Sequence, residues 1–256
     1  MGGRLSGRTA IVTGAGQGVG EGIARRLAAE GANVVIAARR ADTGEPVADA
    51  IRSLGGSATC IETDVSTRES VEACVAHTVE QFGSLQIMIH NAFRGGIPHR
   101  LEVADLERHW KRMSRTGVWA VLFCGQAAWP HLRDAGSHGR FIILTSPSGV
   151  EGSANIPLYS PVKAAERALA KSLAREWGPS GVTVNCIGPV AASPALVNAF
   201  DLNPALKDAI EARTPLGRVG DPEADIGSVA LFLASDDAAF VTGQTVICDG
   251  GSFLGL

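Results

Sequence analysis

Within the first 38 residues a strand, a glycine-dense turn, a helix and a second strand follow one another. Thr9-Ala10-Ile11-Val12-Thr13 is apolar and β-rich, and it breaks into Gly14-Ala15-Gly16-Gln17-Gly18-Val19-Gly20. The segment from Glu21 to Glu30 carries apolar residues at 23, 24, 27 and 28, a helical spacing. Gly31 ends that helix, and Asn33-Val34-Val35-Ile36-Ala37-Ala38 reads as a second strand. Glycine between strand and helix permits a tight turn, and it lets a phosphate approach the N–H groups at the helix start. The helix macrodipole adds a positive end there. Arg39-Arg40 follows the second strand. NAD sites usually place an acid at this point for the ribose 2′-hydroxyl, whereas arginine can hold a 2′-phosphate. Ala38 and Arg39 therefore favour NADP(H), with NAD(H) possible. The alternative is two arginines that simply cap a strand end in solvent.

The alternation continues to the C-terminus. A helix is expected over Pro46 to Leu54, a strand over Ser57–Glu62 ahead of Asp64-Val65, and a helix over Thr67 to Phe82. Ser66 and Glu69 have capping-box spacing at the start of that helix. Leu85–His90 reads as the fourth strand, followed by Asn91-Ala92, a Gly/Pro loop over residues 94–98 and a long helix ending near Leu132. Strands over 140–145 and 182–187 flank the helix that carries Tyr159. Strands alternating with helices imply βαβ units and a parallel sheet, with right-handed crossovers that bring the polar strand ends to one edge. Ligands bind at that edge. The small apolar segment Ala191–Phe200, interrupted by Asn203-Pro204, follows a strand end there. We read residues 190–214 as a substrate lid, the alternative being an ordinary helical hairpin.

Length and composition agree with one α/β domain over residues 1–256: 45% hydrophobic, 19% charged, formal net charge −3. That charge, with no basic run, gives no reason to expect nucleic acid. The N-terminus lacks an apolar leader segment, and no apolar run reaches the ~18 residues of a membrane span. The five cysteines, Cys60, Cys74, Cys124, Cys186 and Cys248, are widely spaced without a C-x-x-C pair, as expected of reduced thiols in a cytoplasmic protein. The six histidines show no metal-ligand spacing, and no metal site is expected. Phe253, Leu254 and Leu256 make an apolar tail suited to a subunit interface.

Tyr159, the single tyrosine, lies four residues before Lys163. On a helix the two share a face. A phenol ionises near pH ~10, and a nearby ammonium favours the phenolate, making a general acid/base suited to an alcohol or carbonyl. Pro161 is tolerated only in a first helical turn, so the helix should begin near Pro157 or Leu158. Ser146, at the end of the strand over 140–145, can hydrogen-bond the same substrate oxygen. The bland alternative is a tyrosine and a lysine on a helix surface.

Residues 5 to 252 resemble the short-chain dehydrogenase/reductase (SDR) family. The matching motifs are Thr13 to Gly20, Asp64-Val65, Asn91-Ala92, Ser146, Tyr159, Lys163, Gly188-Pro189, Pro215-Leu216-Gly217-Arg218, and Thr242-Gly243-Gln244 through Asp249-Gly250-Gly251. The resemblance implies a single Rossmann-like, doubly wound domain with a seven-stranded parallel sheet flanked by helices, usually in a homotetramer. It implies hydride transfer between NAD(P) and a small alcohol or ketone. Tyr159 would be the acid/base, Lys163 the ribose ligand and phenol activator, and Ser146 the holder of the substrate oxygen. Gly14, Gln17, Gly18, Val19, Gly20, Arg39, Asp64, Val65, Asn91, Ala92, Lys163 and Pro189 would bind the cofactor.

Four departures surround that site. Gly117 stands where the family has an asparagine that holds a relay water, leaving water alone, Ser114 or Thr116 to serve. Phe93 replaces a glycine, Val190 replaces another after Pro189, and Pro147 follows Ser146. Phe93, Pro147, Val190 and Leu196, with Ser146 and Tyr159, are the expected substrate contacts, in a moderately hydrophobic pocket. A second reading is a catalytically impaired dinucleotide-binding regulatory protein of the same fold.

Overall fold

The computed structural model describes residues 2–95, 100–103, 105–154 and 156–254. Its frame is β1 (Thr9–Thr13), α1 (Gly18–Ala29), β2 (Asn33–Ala38), α2 (Ala41–Ser53), β3 (Ser57–Glu62), α3 (Arg68–Phe82) and β4 (Ile87–His90). After β4 come α4 (Leu106–Ser114), α5 (Ala120–Asp134), β5 (Arg140–Leu144), the short α6 (Ser148–Glu151), α7 (Tyr159–Trp177) and β6 (Thr183–Pro189). The chain closes with α8 (Pro194–Leu202), α9 (Pro204–Arg213), α10 (Ser228–Ala234) and β7 (Thr245–Cys248).

All seven strands join one sheet in the order β3-β2-β1-β4-β5-β6-β7, and every pairing is parallel. β1 pairs on both sides, Ala10 lying opposite Val34 of β2 and Ile87 of β4. The strand order reverses there, which opens a crevice at the carboxyl ends of these strands. Alternate residues feed two cores, because side chains point to opposite faces along a strand. Val12, Val34, Ile36 and Ile89 pack on α1, α2 and α10 through Ile23, Leu27, Val47 and Leu231. Ile11, Val35, Met88 and Phe141 pack on α3, α5 and α7 through Val75, Val121, Cys124 and Trp177. A sheet buried on both faces needs continuous apolar strands, which is how these strands read.

Local boundaries differ from the sequence expectations in places. α2 begins at Ala41 and takes Pro46 inside it, because Gly44 brings the helix close to the sheet: a Cβ there would lie 2.4 Å from Cys60 Sγ. The capping box at Ser66 does not form. Thr67 is the N-cap of α3, the Ser66 N–H is held by Asp64 Oδ1 at 2.9 Å, and Ser70 Oγ accepts the Asp64 N–H at 2.9 Å. The long helix after β4 is divided by a π-turn over Arg115–Trp119. Residues 190–214 hold the two short helices α8 and α9. Leu256 and residues 96–98 of the Gly/Pro loop lie outside the described residues, and Leu254 is 85% exposed.

Gly22 of α1 faces the backbone of the π-turn at Pro222–Gly227, and a Cβ there would lie 2.3 Å from the Pro222 carbonyl carbon. Gly22→Ala should therefore push α1 off this turn and cost about 1–3 kcal/mol of stability. Urea unfolding of the variant checks this, and an unchanged midpoint would contradict the close approach.

Candidate active site

The turn between β1 and α1 is built on Gly14 (φ 66°) and Gly18 (φ 60°), a backbone region that favours glycine. Space demands glycine as well: a Cβ on Gly14 would lie 2.8 Å from Ala92 Cα, and one on Gly20 2.5 Å from Asn91 Nδ2. Asn91 Nδ2 donates to the carbonyls of Thr13 (2.9 Å) and Gly14 (3.2 Å), tying the turn to the end of β4. Thr13 Oγ1 accepts the N–H groups of Asn91 (3.0 Å) and Ala92 (3.1 Å). With both acceptor positions used, its hydrogen goes to His90 Nδ1 at 3.3 Å, which places the ring proton of the neutral imidazole on Nε2. Burial pushes the His90 pKa down to about 3, the charge of Lys163 adds to this, and the Thr116 backbone opposes it.

Across the carboxyl ends of the strands runs a cleft of about 840 Å³. Gly14, Gln17, Gly18, Val19, Arg39, Asp64, Val65, Asn91, Ala92, Phe93 and Tyr159 line it. Of the other residues singled out in the sequence, Gly20, Ser146, Pro147, Lys163, Pro189, Val190 and Leu196 are not on its wall. Gly20 instead packs beneath the turn, and Lys163 lies below Tyr159, 3% exposed. Ser193 and Pro194 reach the cleft, with Pro194 Cδ 2.9 Å from where a Gly18 Cβ would be. One wall was missed in the sequence: Arg108, Lys111, Arg112 and Arg115 of α4 and the π-turn all face the cleft. Their i, i+3, i+4, i+7 spacing is a one-sided helical face, and reading it would have found them. Arg115 Nε donates to the Ser66 carbonyl at 2.6 Å. A glycine cradle at a helix start, flanked by this many cations, fits a dinucleotide phosphate chain.

Tyr159 is the first residue of α7, with Leu158 as N-cap, so Pro161 falls in the first turn at no hydrogen-bonding cost. Thr145 Oγ1 donates to the Lys163 carbonyl at 2.9 Å and locks α7 against the end of β5. Lys163 Nζ donates to the Leu144 carbonyl (2.9 Å) and to Glu166 Oε2 (3.0 Å). Phe93 stands over this ammonium, 4.2 Å from Nζ to the ring centroid, and meets Tyr159 edge-on at 5.3 Å. Ser146, 9% exposed, accepts the Ser148 N–H at 3.2 Å. Beside Gly117, Ser114 Oγ donates back to the Trp110 carbonyl (2.7 Å) and Thr116 Oγ1 to that of Arg112 (3.1 Å). Both hydroxyls are thus turned to their own helix. What stands against Gly117 is Glu166, fully buried, its Oε1 2.7 Å from where a Cβ would be. Glu166 escaped the sequence reading. A carboxylate three residues after the lysine was visible there, but its burial was not.

Residues 14–252 match the family model described as enoyl-(acyl carrier protein) reductase. The chain belongs to the short-chain dehydrogenase/reductase family. It is 37% identical to cis-4-hydroxycyclohexanecarboxylate dehydrogenase of Sinomonas cyclohexanicum, over 98% of each chain. It is 35% identical to L-rhamnose 1-dehydrogenase (NAD(P)(+)) of Azotobacter vinelandii, covering 97% of this chain and 98% of the relative. A solved short-chain alcohol dehydrogenase candidate from Sinorhizobium meliloti superposes with a TM-score of 0.90 at 32% identity, covering 97% of both chains. As a member of the SDR family the protein is an oxidoreductase of CH–OH and carbonyl groups that uses a nicotinamide dinucleotide.

His90 gives this SDR enzyme an acid sensitivity. Its folded pKa of about 3 lies below the ordinary 6.5, so between those values the unfolded chain takes up a proton that the folded one refuses. Stability then falls with falling pH by about 1.4 kcal/mol per unit from this group. His90→Asn should flatten the stability profile by that slope between pH 6 and 4, as read from urea titrations. Parallel profiles would contradict the assignment.

Proposed function

We propose that the protein is an NADP(H)-preferring oxidoreductase of a moderately hydrophobic alcohol or carbonyl compound, with Tyr159 as general acid/base. The observation that carries this reading is that Tyr159 shares one cleft with the glycine turn, with Lys163 one helical turn below it. When bound, the nicotinamide supplies or accepts the hydride. Tyr159 gives a proton to the carbonyl oxygen in reduction and takes it from the alcohol in oxidation. Ser146 holds that oxygen, and Lys163 favours the phenolate and steadies the ribose. Phe93 must leave the face of Lys163 for the ribose to reach it, and residues 190–214 would close over the substrate.

For NADP(H), the support is the end of β2. Arg39 and Arg40 line the cleft there, Arg40 is engaged by Asp42 at 3.0 Å, and the carboxylate among the described lining residues is Asp64, beyond the end of β3. Arg39 is thus the residue left to a 2′-phosphate. Trp110 and Trp119, each 47% exposed, and Leu254 leave apolar surface that a homo-oligomer, a tetramer by family resemblance, would cover. The free cysteines suit the cytoplasm. Among the described residues no helix is long and apolar enough to cross a membrane.

Two measurements test the reading. With NADPH and a panel of ketones and aldehydes, Tyr159→Phe should lower kcat by about 10²-fold or more while NADPH still binds. Undiminished turnover would remove Tyr159 from the chemistry. Arg39→Ala should weaken NADPH binding by roughly 10- to 100-fold, the worth of a charge-assisted contact, with NADH binding little changed. Equal losses for the two cofactors would argue against a 2′-phosphate contact.

A further inference from the structure

Glu166 is a carboxylate without access to water, at 0% exposure, and its burial raises its pKa against the pull of Lys163. Its oxygens lie 3.0 and 3.3 Å from Lys163 Nζ. A buried ion pair rarely stabilises a fold more than apolar residues of equal volume would, so stability alone is a poor reason for it. Glu166 and Val162 together leave no room for a side chain at 117: a Cβ there would meet Glu166 Oε1 and Val162 Cγ1, each at 2.7 Å. Gly117 and Glu166 are therefore one arrangement, in which a carboxylate reached from α7 fills room that a side chain from the π-turn would otherwise take.

The groups around the pair leave Lys163 as the cation that faces this carboxylate. His90, from β4, is neutral above about pH 3. Cys186, from β6, has its thiol pushed up to about 12, chiefly by burial and then by the charge of Glu166. Arg167, the next residue of α7, is turned to the Gly149 carbonyl at 2.9 Å and Thr245 Oγ1 at 3.3 Å. From the 93 loop comes the ring of Phe93, and from the start of α7 the phenol of Tyr159, whose ring centroid is 5.8 Å from Nζ.

We propose that Glu166 is a positioning residue that stands in for the side chain absent at 117: it holds Lys163 Nζ beneath Tyr159 and offsets its charge, and so sets the pH range in which Tyr159 accepts a proton. This rests on the reading of Tyr159 as the acid/base. An ammonium whose charge is offset favours a phenolate less, so alcohol oxidation needs higher pH and carbonyl reduction persists to higher pH.

The test is the pH profile of kcat for alcohol oxidation, with NADPH dissociation constants, for wild type, Glu166→Gln, Glu166→Ala and Gly117→Asn/Glu166→Ala. Glu166→Gln keeps the shape and removes the charge, and should lower the pH of half-maximal oxidation by about one unit without weakening NADPH binding. Glu166→Ala releases Nζ and should lower kcat about ten- to a hundredfold with KM little changed. The double variant trades the carboxylate for an asparagine, with Val162 Cγ1 turning aside to admit it, and should recover most of that loss. A Glu166→Gln profile that superimposes on wild type, or moves upward, overturns the proposal, as does a double variant no better than Glu166→Ala. Thermal melts identify a variant that has not folded; if Glu166→Gln is one, the comparison of double variant with Glu166→Ala decides. A wild type that binds NADPH yet turns over no alcohol or carbonyl overturns the functional reading and this inference together. Turnover with an unmoved profile overturns the inference alone.

Discussion

The buried ammonium of Lys163 is the constraint on which the site is built. A cation this far from water must have its N–H groups met, and they are met from three directions. The Leu144 carbonyl comes from the end of β5, the Glu166 carboxylate from one turn along α7, and the ring face of Phe93 from the loop after β4. Each partner fixes something beyond itself. The Leu144 contact, with the Thr145 hydroxyl on the Lys163 carbonyl, aligns the start of α7 with the strand end that carries Ser146. The carboxylate, with Val162 Cγ1, leaves no room for a side chain at 117. Phe93 meets the Tyr159 ring in a T-shaped contact.

A second hub lies at Thr13. Its hydroxyl accepts two backbone N–H groups from the end of β4 and gives its own hydrogen to His90, while Asn91 returns two bonds to the glycine turn. The phosphate cradle is thereby fastened to the strand that leads to Phe93. The hubs share a field, since the charge of Lys163 helps keep His90 neutral. A dinucleotide bound along the cleft would engage the cradle at one end and meet Phe93 at the other.

The sheet and the position of Tyr159 were legible in the sequence because they depend on local signals. Apolar runs bounded by glycine gave the strands, and Pro161 placed Tyr159 in a first turn. Features that depend on distant residues were not legible. Glu166, three residues after a lysine on a helix, reads as a surface ion pair; its burial follows from the missing side chain at Gly117, on another element. Ser66 has capping-box spacing with Glu69, yet Asp64 takes its N–H and Thr67 becomes the cap. Pro46 argued for a late start to α2, but Gly44 lets the helix lie so near β3 that packing outweighs the lost hydrogen bond.

Net charge was equally uninformative about the cleft. A chain of formal charge −3 carries Arg39, Arg40, Arg94, Arg108, Lys111, Arg112 and Arg115 on the wall of one groove, against Asp64 as the acid lining it. A groove with low-dielectric walls and one sign of charge focuses its field and raises the local concentration of an oppositely charged ligand. Phosphates of the cofactor would feel this field well outside the groove at low salt, where screening is weak. The same groove reaches Tyr159, beneath which Glu166 stands as the buried counter-charge to Lys163. Attraction of the cofactor and ionisation of the tyrosine would otherwise be driven by one cationic surface. On the reading of Tyr159 as the acid/base, a carboxylate under the lysine would let the groove stay strongly positive for binding while the charge beside the tyrosine is set separately.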